Sequence, residues 1–350
     1  MRGTQVKRIM IRTEASEQVG WGHLMRCIGL AEASRKLGHE VRFIVTPSTK
    51  SVRGIIREAG FGLDLWDAAL GEEPDLKRME QELLNGNPDV LVVDSYAATS
   101  EYLTVLKPKV GVLVSIDDLG EKYFPSHVVL NQNVYAEQLA YSCSTDTLLL
   151  LGTRYALLRE QFEPWRSWTR TISSAGCRVL VILGGVDPDN QTGRVIEILQ
   201  HCPVPGVEVV AVVGGANPNL ARIQATASMS RVPVRIEYSP KHMAELMAWA
   251  DVAISGGGST CWELAFMGLP NLILVLSDNQ RRVAEGLTEA GASRSLGWFH
   301  KVADAVLQEA LATLLSDRHG RAVMSHCGRT LVDGRGSERV AGMLTERVAA

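Results

Sequence analysis

The stretch SGGGSTCWELAFMGLP, Ser255–Pro270, joins a strand end, a tight turn and a helix. The run DVAIS that leads into it is typical of a buried strand, and Gly256–Gly258 form a turn without side chains. Ser259 or Thr260 then begins a helix, which Gly268 helps to end. Backbone N–H groups at such a turn can approach an anion closely, and the helix dipole adds partial positive charge. The stretch therefore predicts a phosphate-binding turn.

An alternative role exists for part of this stretch, because Thr260 and Glu263 have the spacing of a capping box, in which Glu263 only satisfies the helix N-terminus. Other phosphate motifs do not fit. GGGSTC lacks the lysine of a P-loop, and GWGHLM has Met25 where a dinucleotide fingerprint needs its third glycine. The run RFIVT does not end in the acidic residue that holds an NAD ribose. The sequence thus disfavours ATP and NAD chemistry, and we expect no cofactor.

Short β-branched runs alternate with helical stretches along both halves of the chain, which predicts βαβ units and parallel sheets. Runs this apolar are covered on both faces, so each half is expected to be a doubly wound α/β sheet. The runs in the first half are KRIMIRT, HEVRFIVT, DVLVVDSY, KVGVLVSIDD, HVVLNQN and TLLLLG. Those in the second half are RVLVILGG, VEVVAVVGG, PVRIEYS, DVAISGGG and PNLILVLSD. The first crossover helix is predicted in GHLMRCIGLAEASRKLG.

The chain length of 350 residues predicts two domains, since one core rarely serves so long a chain. The aromatic, Ser/Thr-rich stretch Phe162–Gly176 separates the two sets of strands and is predicted to be the linker. We therefore expect Rossmann-like domains over residues 1–163 and 164–332, with a final helix over 333–350. Ligands of such sheets lie beyond the carboxyl ends of the strands, and the two edges can face each other across a cleft.

The composition limits the possible partners and the cellular location. A net charge of -3 gives no general electrostatic reason to expect nucleic acid as a partner. No apolar run approaches the roughly 18 residues of a membrane span, and the first residues lack the pattern of a secretory signal, so a cytoplasmic location is expected. The six cysteines are scattered without a CxxC pair, which favours reduced, buried thiols and predicts no metal site. The oligomeric state stays open.

The block Met243–Gln280 resembles the donor-nucleotide half of the GT-B glycosyltransferases, notably the enzyme that adds N-acetylglucosamine to the peptidoglycan lipid. The resemblance implies that the glycine turn holds the UDP diphosphate, that Glu263 holds the ribose hydroxyls, and that backbone near Met243 contacts the uracil. In this fold a last helix commonly crosses back onto the first domain, which is expected here. The implied nucleotide-binding residues are Gly184, Gly185, Met243, Gly256, Gly257, Gly258, Ser259, Thr260 and Glu263.

The N-terminal half resembles a narrower group, the nucleotide-sugar hydrolase of pseudaminic-acid biosynthesis and the related spore-coat polysaccharide proteins. The motifs that carry this resemblance are, in order, IRTEASEQVGWGHLMRCIGLAEA, VDSY, SIDD, NQNVYA, GTRYALLREQF and LGGVDPDN. The resemblance implies hydrolysis of UDP-2,4-diacetamido-2,4,6-trideoxy-β-L-altropyranose to the free sugar and UDP, without a metal. Relatives often carry histidine where Ser95 stands, which puts the identity of the sugar in doubt.

The implied catalytic base is His23, which matches the histidine after the first strand in that group. An imidazole with an ordinary pKa near 6.5 can take a proton from water at neutral pH. A base acting on water predicts inversion at the anomeric carbon. The alternative for an isolated histidine at a helix start is a packing or capping role.

The residues expected near the sugar follow from the same resemblance and from their places at strand ends. Asp94 and Asp118 could orient His23 or bind sugar hydroxyls, with loop capping as the alternative. Tyr155 and Arg159 are predicted on one face of a helix, where they contact substrate or line the hinge. The full set of sugar-binding candidates is Gly20, Gly22, Asp94, Tyr96, Asp118, Tyr155, Arg159, Asn279 and Gln280.

Two other functions remain open at the level of sequence. A GT-B glycosyltransferase would use the same residues to move a sugar from a nucleotide donor to an acceptor. A non-catalytic nucleotide-sugar-binding protein would keep the fold and lose the chemistry.

Overall fold

The computed structural model describes residues 6–14, 21–46 and 50–349. The chain divides into two compact units. The first consists of Met1–Glu160 with Gly334–Ala350, and the second of Gln161–Asp333. Each contains its own parallel sheet. The α/β fold with two Rossmann-like sheets is therefore as the strand pattern predicts.

The sheet of the first unit is built from strands that the sequence marks by their β-branched runs. The strands are β1 Arg8–Thr13, β2 Glu40–Val45, β3 Gly62–Leu65, β4 Val90–Asp94, β5 Val112–Ile116, β6 Tyr123–Phe124, β7 Val128–Asn131, β8 Ser142–Cys143 and β9 Leu148–Leu151. Seven of them pair in the order β3-β2-β1-β4-β5-β7-β9, and β6 pairs with β8. In the register of the central strands, Ile11 lies opposite Phe43 on one side and Val92 on the other.

Helices cover this sheet at α1 Gly22–Lys36, α2 Lys50–Glu58, α3 Glu73–Gly86 and α4 Ser100–Leu106. Strands β4 and β5 are buried along their whole length, which is why their sequences are continuously apolar rather than alternating. Helix α1 spans the predicted crossover and begins directly at the stretch GWGH. Its first turn therefore lies at the carboxyl end of the sheet, where the polar strand ends also lie.

The second unit repeats this arrangement. Its strands are β10 Arg178–Ile182, β11 Glu208–Val213, β12 Val234–Tyr238, β13 Val252–Gly256, β14 Asn271–Val275 and β15 Arg294–Trp298. They pair in parallel in the order β12-β11-β10-β13-β14-β15. The helices are α5 Gln191–Leu199, α6 Leu220–Ser228, α7 Met243–Trp249, α8 Thr260–Phe266, α9 Arg281–Glu289, α10 Asp304–Ser316 and α11 Arg318–Leu331. The edge strands β3 and β15, which have no fully buried residue, were not predicted from the sequence.

The last helix, α12 Gly336–Ala349, belongs to the first unit and packs against α1. Gly336 lies directly against the backbone of Ala156, where a side chain would not fit. Ser337 donates a hydrogen bond from its Oγ to the carbonyl oxygen of Leu158 at 2.8 Å. Helix α12 therefore holds the segment that leads out of the first unit.

The prediction that Tyr155 and Arg159 share one helical face is wrong. Tyr155 ends a short 3-10 turn, Thr153–Tyr155, and residues 156–159 have no helical structure. The N–H of Leu157 donates to the side chain of Gln132 at 2.9 Å, so a tertiary contact replaces the helical hydrogen bond. In this segment the contacts made on burial override the local helix propensity.

Among the residues in the described ranges, the longest and most apolar helices still fall short of what a membrane crossing requires.

Candidate active site

The polar groups of the first unit gather where strands β4 and β5 end beside the first turn of α1. Asp94 is the last residue of β4, and Asp118 follows β5 by two residues. His23 and Arg26 lie three positions apart on α1, so both point to the same side of the helix. All four side chains are buried, with Asp94 fully so. The fold thus brings a histidine, an arginine and two carboxylates into one cluster.

Arg26 bridges the two carboxylates of this cluster with paired hydrogen bonds. Its Nε and Nη2 donate to Asp94 at 2.8 and 2.7 Å. Its Nη1 and Nη2 donate to Asp118 at 2.8 and 3.0 Å. Paired hydrogen bonds between the planar guanidinium and a carboxylate are the strongest and most directional of the ionic pairs. The positions of both carboxylates are therefore set by one side chain.

His23 lies between these carboxylates. Its Nδ1 is 3.5 Å from Oδ1 of Asp94, and its Nε2 is 4.0 Å from Oδ2 of Asp118. Both distances exceed that of an ordinary hydrogen bond. The ring of Tyr96 packs edge-on against the imidazole with centroids 4.8 Å apart. The surroundings of His23 are therefore polar and charged and do not resemble a hydrocarbon core.

Burial and charge act in opposite directions on the groups of this cluster. Burial lowers the pKa of His23 below its ordinary value, with the Asp94 carboxylate opposing that effect. Burial would raise the pKa of Asp118, but Arg26 holds it well below the usual range. The two carboxylates likewise raise the pKa of Arg26 against the effect of burial. At neutral pH the cluster therefore holds a neutral imidazole beside a charged Asp118 and Arg26.

Three residues of this cluster were missed in the sequence: Arg26, Cys27 and Asn133. Asn133 donates from Nδ2 to Asp118 at 2.8 Å, and the Cys27 thiol donates to Asp94 at 3.3 Å. Burial raises the pKa of Cys27 well above its ordinary value, which keeps it a thiol and a donor. The sequence could have indicated two of them, because in GHLMRC the residues Arg26 and Cys27 follow His23 by three and four positions and so share its side of the helix.

The sugar-binding candidates of the first unit have different surroundings. Asp94 is fully buried and occupied by Arg26, which favours the alternative that it orients His23. Tyr96 is exposed over 38% of its surface and donates its hydroxyl to Asp118 at 2.8 Å, so its ring can still meet a ligand. Gly22 is the first residue of α1, and Gly20 lies outside the described residues.

In the second unit, the glycine turn after β13 is held by one side chain. The amide oxygen of Gln280 accepts hydrogen bonds from the N–H groups of Gly257 at 2.9 Å and of Leu276 at 3.1 Å. A Cβ atom on Gly257 would lie 2.8 Å from the carbonyl oxygen of Gln280, so only glycine fits there. A Cβ on Gly258 would meet its nearest atom, Nε2 of Gln280, only at 4.0 Å. The open side of the turn is therefore at Gly258.

The remaining nucleotide-binding candidates lie at neighbouring strand ends or helix starts of the second unit. Gly184 has a positive φ of 91° and is exposed, and Gly185 packs directly against Gly214. Met243 is the first residue of α7 and is buried. Ser259 and Thr260 are half-buried at the start of α8, whereas Glu263 is buried within it. Asn279 and Gln280 lie on the turn Asp278–Gln280 that follows β14.

Comparisons with known proteins agree with this architecture. Residues 180–335 match the model of the glycosyltransferase family 28 C-terminal domain. The chain is 26% identical to the spore coat polysaccharide biosynthesis protein SpsG of Bacillus subtilis, over 96% of this chain and 97% of that protein. It is 24% identical to the UDP-2,4-diacetamido-2,4,6-trideoxy-beta-L-altropyranose hydrolase of Campylobacter jejuni, over 81% and 97% of the two chains.

Among solved structures, the chain is similar to MurG of Acinetobacter baumannii, with a TM-score of 0.71 and 16% identity over 97% of this chain and 99% of that one. At this identity the likeness shows the fold. Together with the two parallel sheets, it establishes GT-B as the fold of this chain. The chain is therefore an enzyme of the GT-B fold that resembles the UDP-altropyranose hydrolases and SpsG.

Proposed function

We propose that the protein is a hydrolase that cleaves a UDP-activated amino or deoxy sugar into free sugar and UDP. The substrate we propose is of the UDP-2,4-diacetamido-2,4,6-trideoxy-β-L-altropyranose type, the compound in the name of the Campylobacter jejuni relative. The single observation that carries the proposal is the placement of His23 between two carboxylates, where strands β4 and β5 end. Such an imidazole has the chemistry of a general base.

The proposed role of His23 is to take a proton from water. In the orientation we favour, Nδ1–H points to Asp94 and the lone pair of Nε2 is left for the water. The water oxygen forms a bond to the anomeric carbon while the bond from that carbon to the UDP oxygen breaks. The electron pair of the broken bond leaves with UDP, and the proton goes to His23. A single displacement of this kind inverts the anomeric centre.

The proposed role of the second unit is to bind UDP. We assign the diphosphate to the glycine turn Gly256–Gly258, whose open side is at Gly258. We assign the ribose to Glu263 and the uracil to the start of α7 at Met243. Stabilising the charge of the departing UDP lowers the barrier for the chemical step. These assignments rest on the resemblance to GT-B enzymes and on the fit of the turn.

The alternative function is that of a glycosyltransferase, favoured by the match of residues 180–335 to a glycosyltransferase domain. A non-catalytic nucleotide-sugar-binding protein is the other alternative. A panel of nucleotide sugars with release of free UDP as the readout separates all three. A hydrolase releases UDP in buffer alone, a transferase requires an acceptor, and a binding protein releases none.

The decisive variant is His23→Asn. We expect it to lower the rate of UDP release about 10²- to 10⁴-fold, since that is the contribution of a general base. UDP affinity, measured by calorimetry, should change by less than about threefold, because UDP is assigned to the other unit.

The matched control is His39→Asn. His39 is as buried as His23 and belongs to the same unit, but its Nε2 lies 2.7 Å from Oγ1 of Thr345 in α12 and, within the described part of the chain, its ring makes no contact with the cluster's carboxylates. It should keep the rate of the unmodified enzyme. Unchanged turnover in His23→Asn would rule out His23 as the base.

A further inference from the structure

Arg26 has no role in the function proposed above, although its hydrogen bonds join the two carboxylates of the cluster. It donates four, two to each carboxylate. Its side chain is only 5% exposed, so the two ion pairs are shielded from solvent. Removing one partner of a buried ion pair strongly lowers the free energy of unfolding, because the other charge stays buried without a partner.

The planar guanidinium determines where each carboxylate lies relative to the imidazole. The edge of Arg26 formed by Nε and Nη2 holds Asp94, which lies beside Nδ1 of His23. The edge formed by Nη1 and Nη2 holds Asp118, which lies on the Nε2 side. A lysine in this place would supply one point charge and could not hold two carboxylates in a fixed plane.

Arg26 supplies one positive charge for two buried carboxylates, which leaves the group one negative charge in excess beside the imidazole. Without Arg26 the two carboxylates would face the same ring with no cation between them. Two carboxylates without a cation beside the ring favour the protonated imidazole.

We propose that Arg26 is a positioning residue for His23: its paired hydrogen bonds hold Asp94 and Asp118 on opposite sides of the ring and so keep the imidazole in one tautomer, and its positive charge offsets the negative charge beside the ring. The consequence for catalysis rests on the proposed role of His23 as the base. The electrostatic consequence for His23 does not depend on any reaction.

The groups that face His23 in the described structure come from three elements. Arg26 lies on α1, Asp94 ends β4, and Asp118 follows β5, with Tyr96 packed against the ring. Glu14, after β1, acts electrostatically on Asp94 from further away. Burial is the main cause of the lowered pKa of His23, the two carboxylates oppose it, and the charge of Arg26 adds to it.

The test is an NMR titration of the His23 ring in the full-length protein without ligand, with the signal assigned from His23→Asn. In Arg26→Gln the cation is lost, so we expect the midpoint of the His23 titration to rise by about one pH unit or more. In the double variant Arg26→Gln with Asp118→Asn the original net charge of the cluster is restored. Its midpoint should return most of the way to that of the unmodified protein.

A variant that keeps the charge tests positioning separately. Arg26→Lys retains a cation without the fork, so we expect the ring nitrogen shifts to report a mixture of tautomers. If His23 is the base, kcat on the nucleotide sugar should fall about tenfold with KM within about threefold, because misplacement of a catalytic group affects the chemical step. A purely structural Arg26 would alter stability and leave these readouts unchanged.

The outcomes separate this proposal from the hydrolase proposal. A folded Arg26→Gln protein whose His23 titrates at the original midpoint overturns the role of Arg26. If circular dichroism shows that Arg26→Gln does not fold, Arg26→Lys decides, and unchanged ring shifts with unchanged kcat overturn the role. Because the titration needs no turnover, a shifted midpoint supports Arg26 even if His23→Asn keeps full activity.

Discussion

The strand ends of the two units differ in chemistry although the sheets share a strand order. Strands β4 and β5 in the first unit hold the same places as β13 and β14 in the second. In the first unit one charged side chain, Arg26, joins the ends of the two strands through Asp94 and Asp118. In the second, the neutral amide of Gln280 joins them through the N–H groups of Gly257 and Leu276.

This difference shows that one topology can support two kinds of site. The first edge is built from buried charges, which tune a titratable group such as His23. The second edge is built from backbone, which can approach an anion without carrying a charge of its own. Asp187 lies at the second edge, but its carboxylate accepts from the N–H groups of Gln191 and Thr192 and so belongs to the start of α5.

The largest expected effect comes from removing the joining side chain in each unit. Arg26→Met leaves two buried carboxylates without a cation, so the free energy of unfolding of the first unit should fall by about 3–5 kcal/mol. Gln280→Met removes a neutral acceptor and should lower that of the second unit by about 1 kcal/mol. Urea denaturation followed by hydrogen exchange of peptides from each unit measures both. Equal losses of unfolding free energy in the two variants would contradict the difference between the two units.

A smaller effect is expected within the glycine turn itself. In Gly257→Ala the new Cβ would meet the Gln280 backbone at 2.8 Å, which should lower the free energy of unfolding by about 1–3 kcal/mol. In Gly258→Ala the Cβ meets open space, so stability should change by about 0.5 kcal/mol or less. If the open side binds the diphosphate, Gly258→Ala should still weaken UDP binding, as measured by calorimetry. Unchanged UDP affinity in both variants would show that the diphosphate does not bind at this turn.

The smallest expected effect is a difference in pH dependence between the units. Because the pKa of His23 is lowered in the folded state, the unfolded chain takes up that proton first as the pH falls. The stability that neutral His23 contributes is therefore present above the ordinary histidine pKa and is lost as pH falls below it towards the lowered value. Asp118 adds nothing in this window, because its pKa is lowered and its contribution is lost only at strongly acid pH.

The measurement is urea denaturation of the full chain at pH 7 and pH 5, with unit-specific hydrogen exchange corrected for its intrinsic pH dependence. The first unit should lose more stability than the second, and the loss should be smaller in His23→Asn. An identical loss in His23→Asn and the unmodified chain would show that His23 does not contribute to it.

Local sequence patterns predict much of this architecture. The β-branched runs predict the central strands of both sheets, since a buried parallel strand must be apolar on both faces. The spacing in GHLMRCIGLAEASRK predicts α1, and the stretch after DVAIS predicts a glycine turn followed by α8. These features depend on neighbouring residues only, so a sequence can specify them by itself.

Tertiary structure alone decided how distant residues meet. Arg26 and its partners Asp94 and Asp118 are separated by 68 and 92 positions, so no local pattern links them. The segment from Tyr155 to Arg159 has helical spacing, yet contacts with Gln132 and α12 keep it from forming a helix. The physical reason is the same in both cases. Burying a charge or a backbone N–H requires a partner from elsewhere in the chain, and only the folded sheet supplies it.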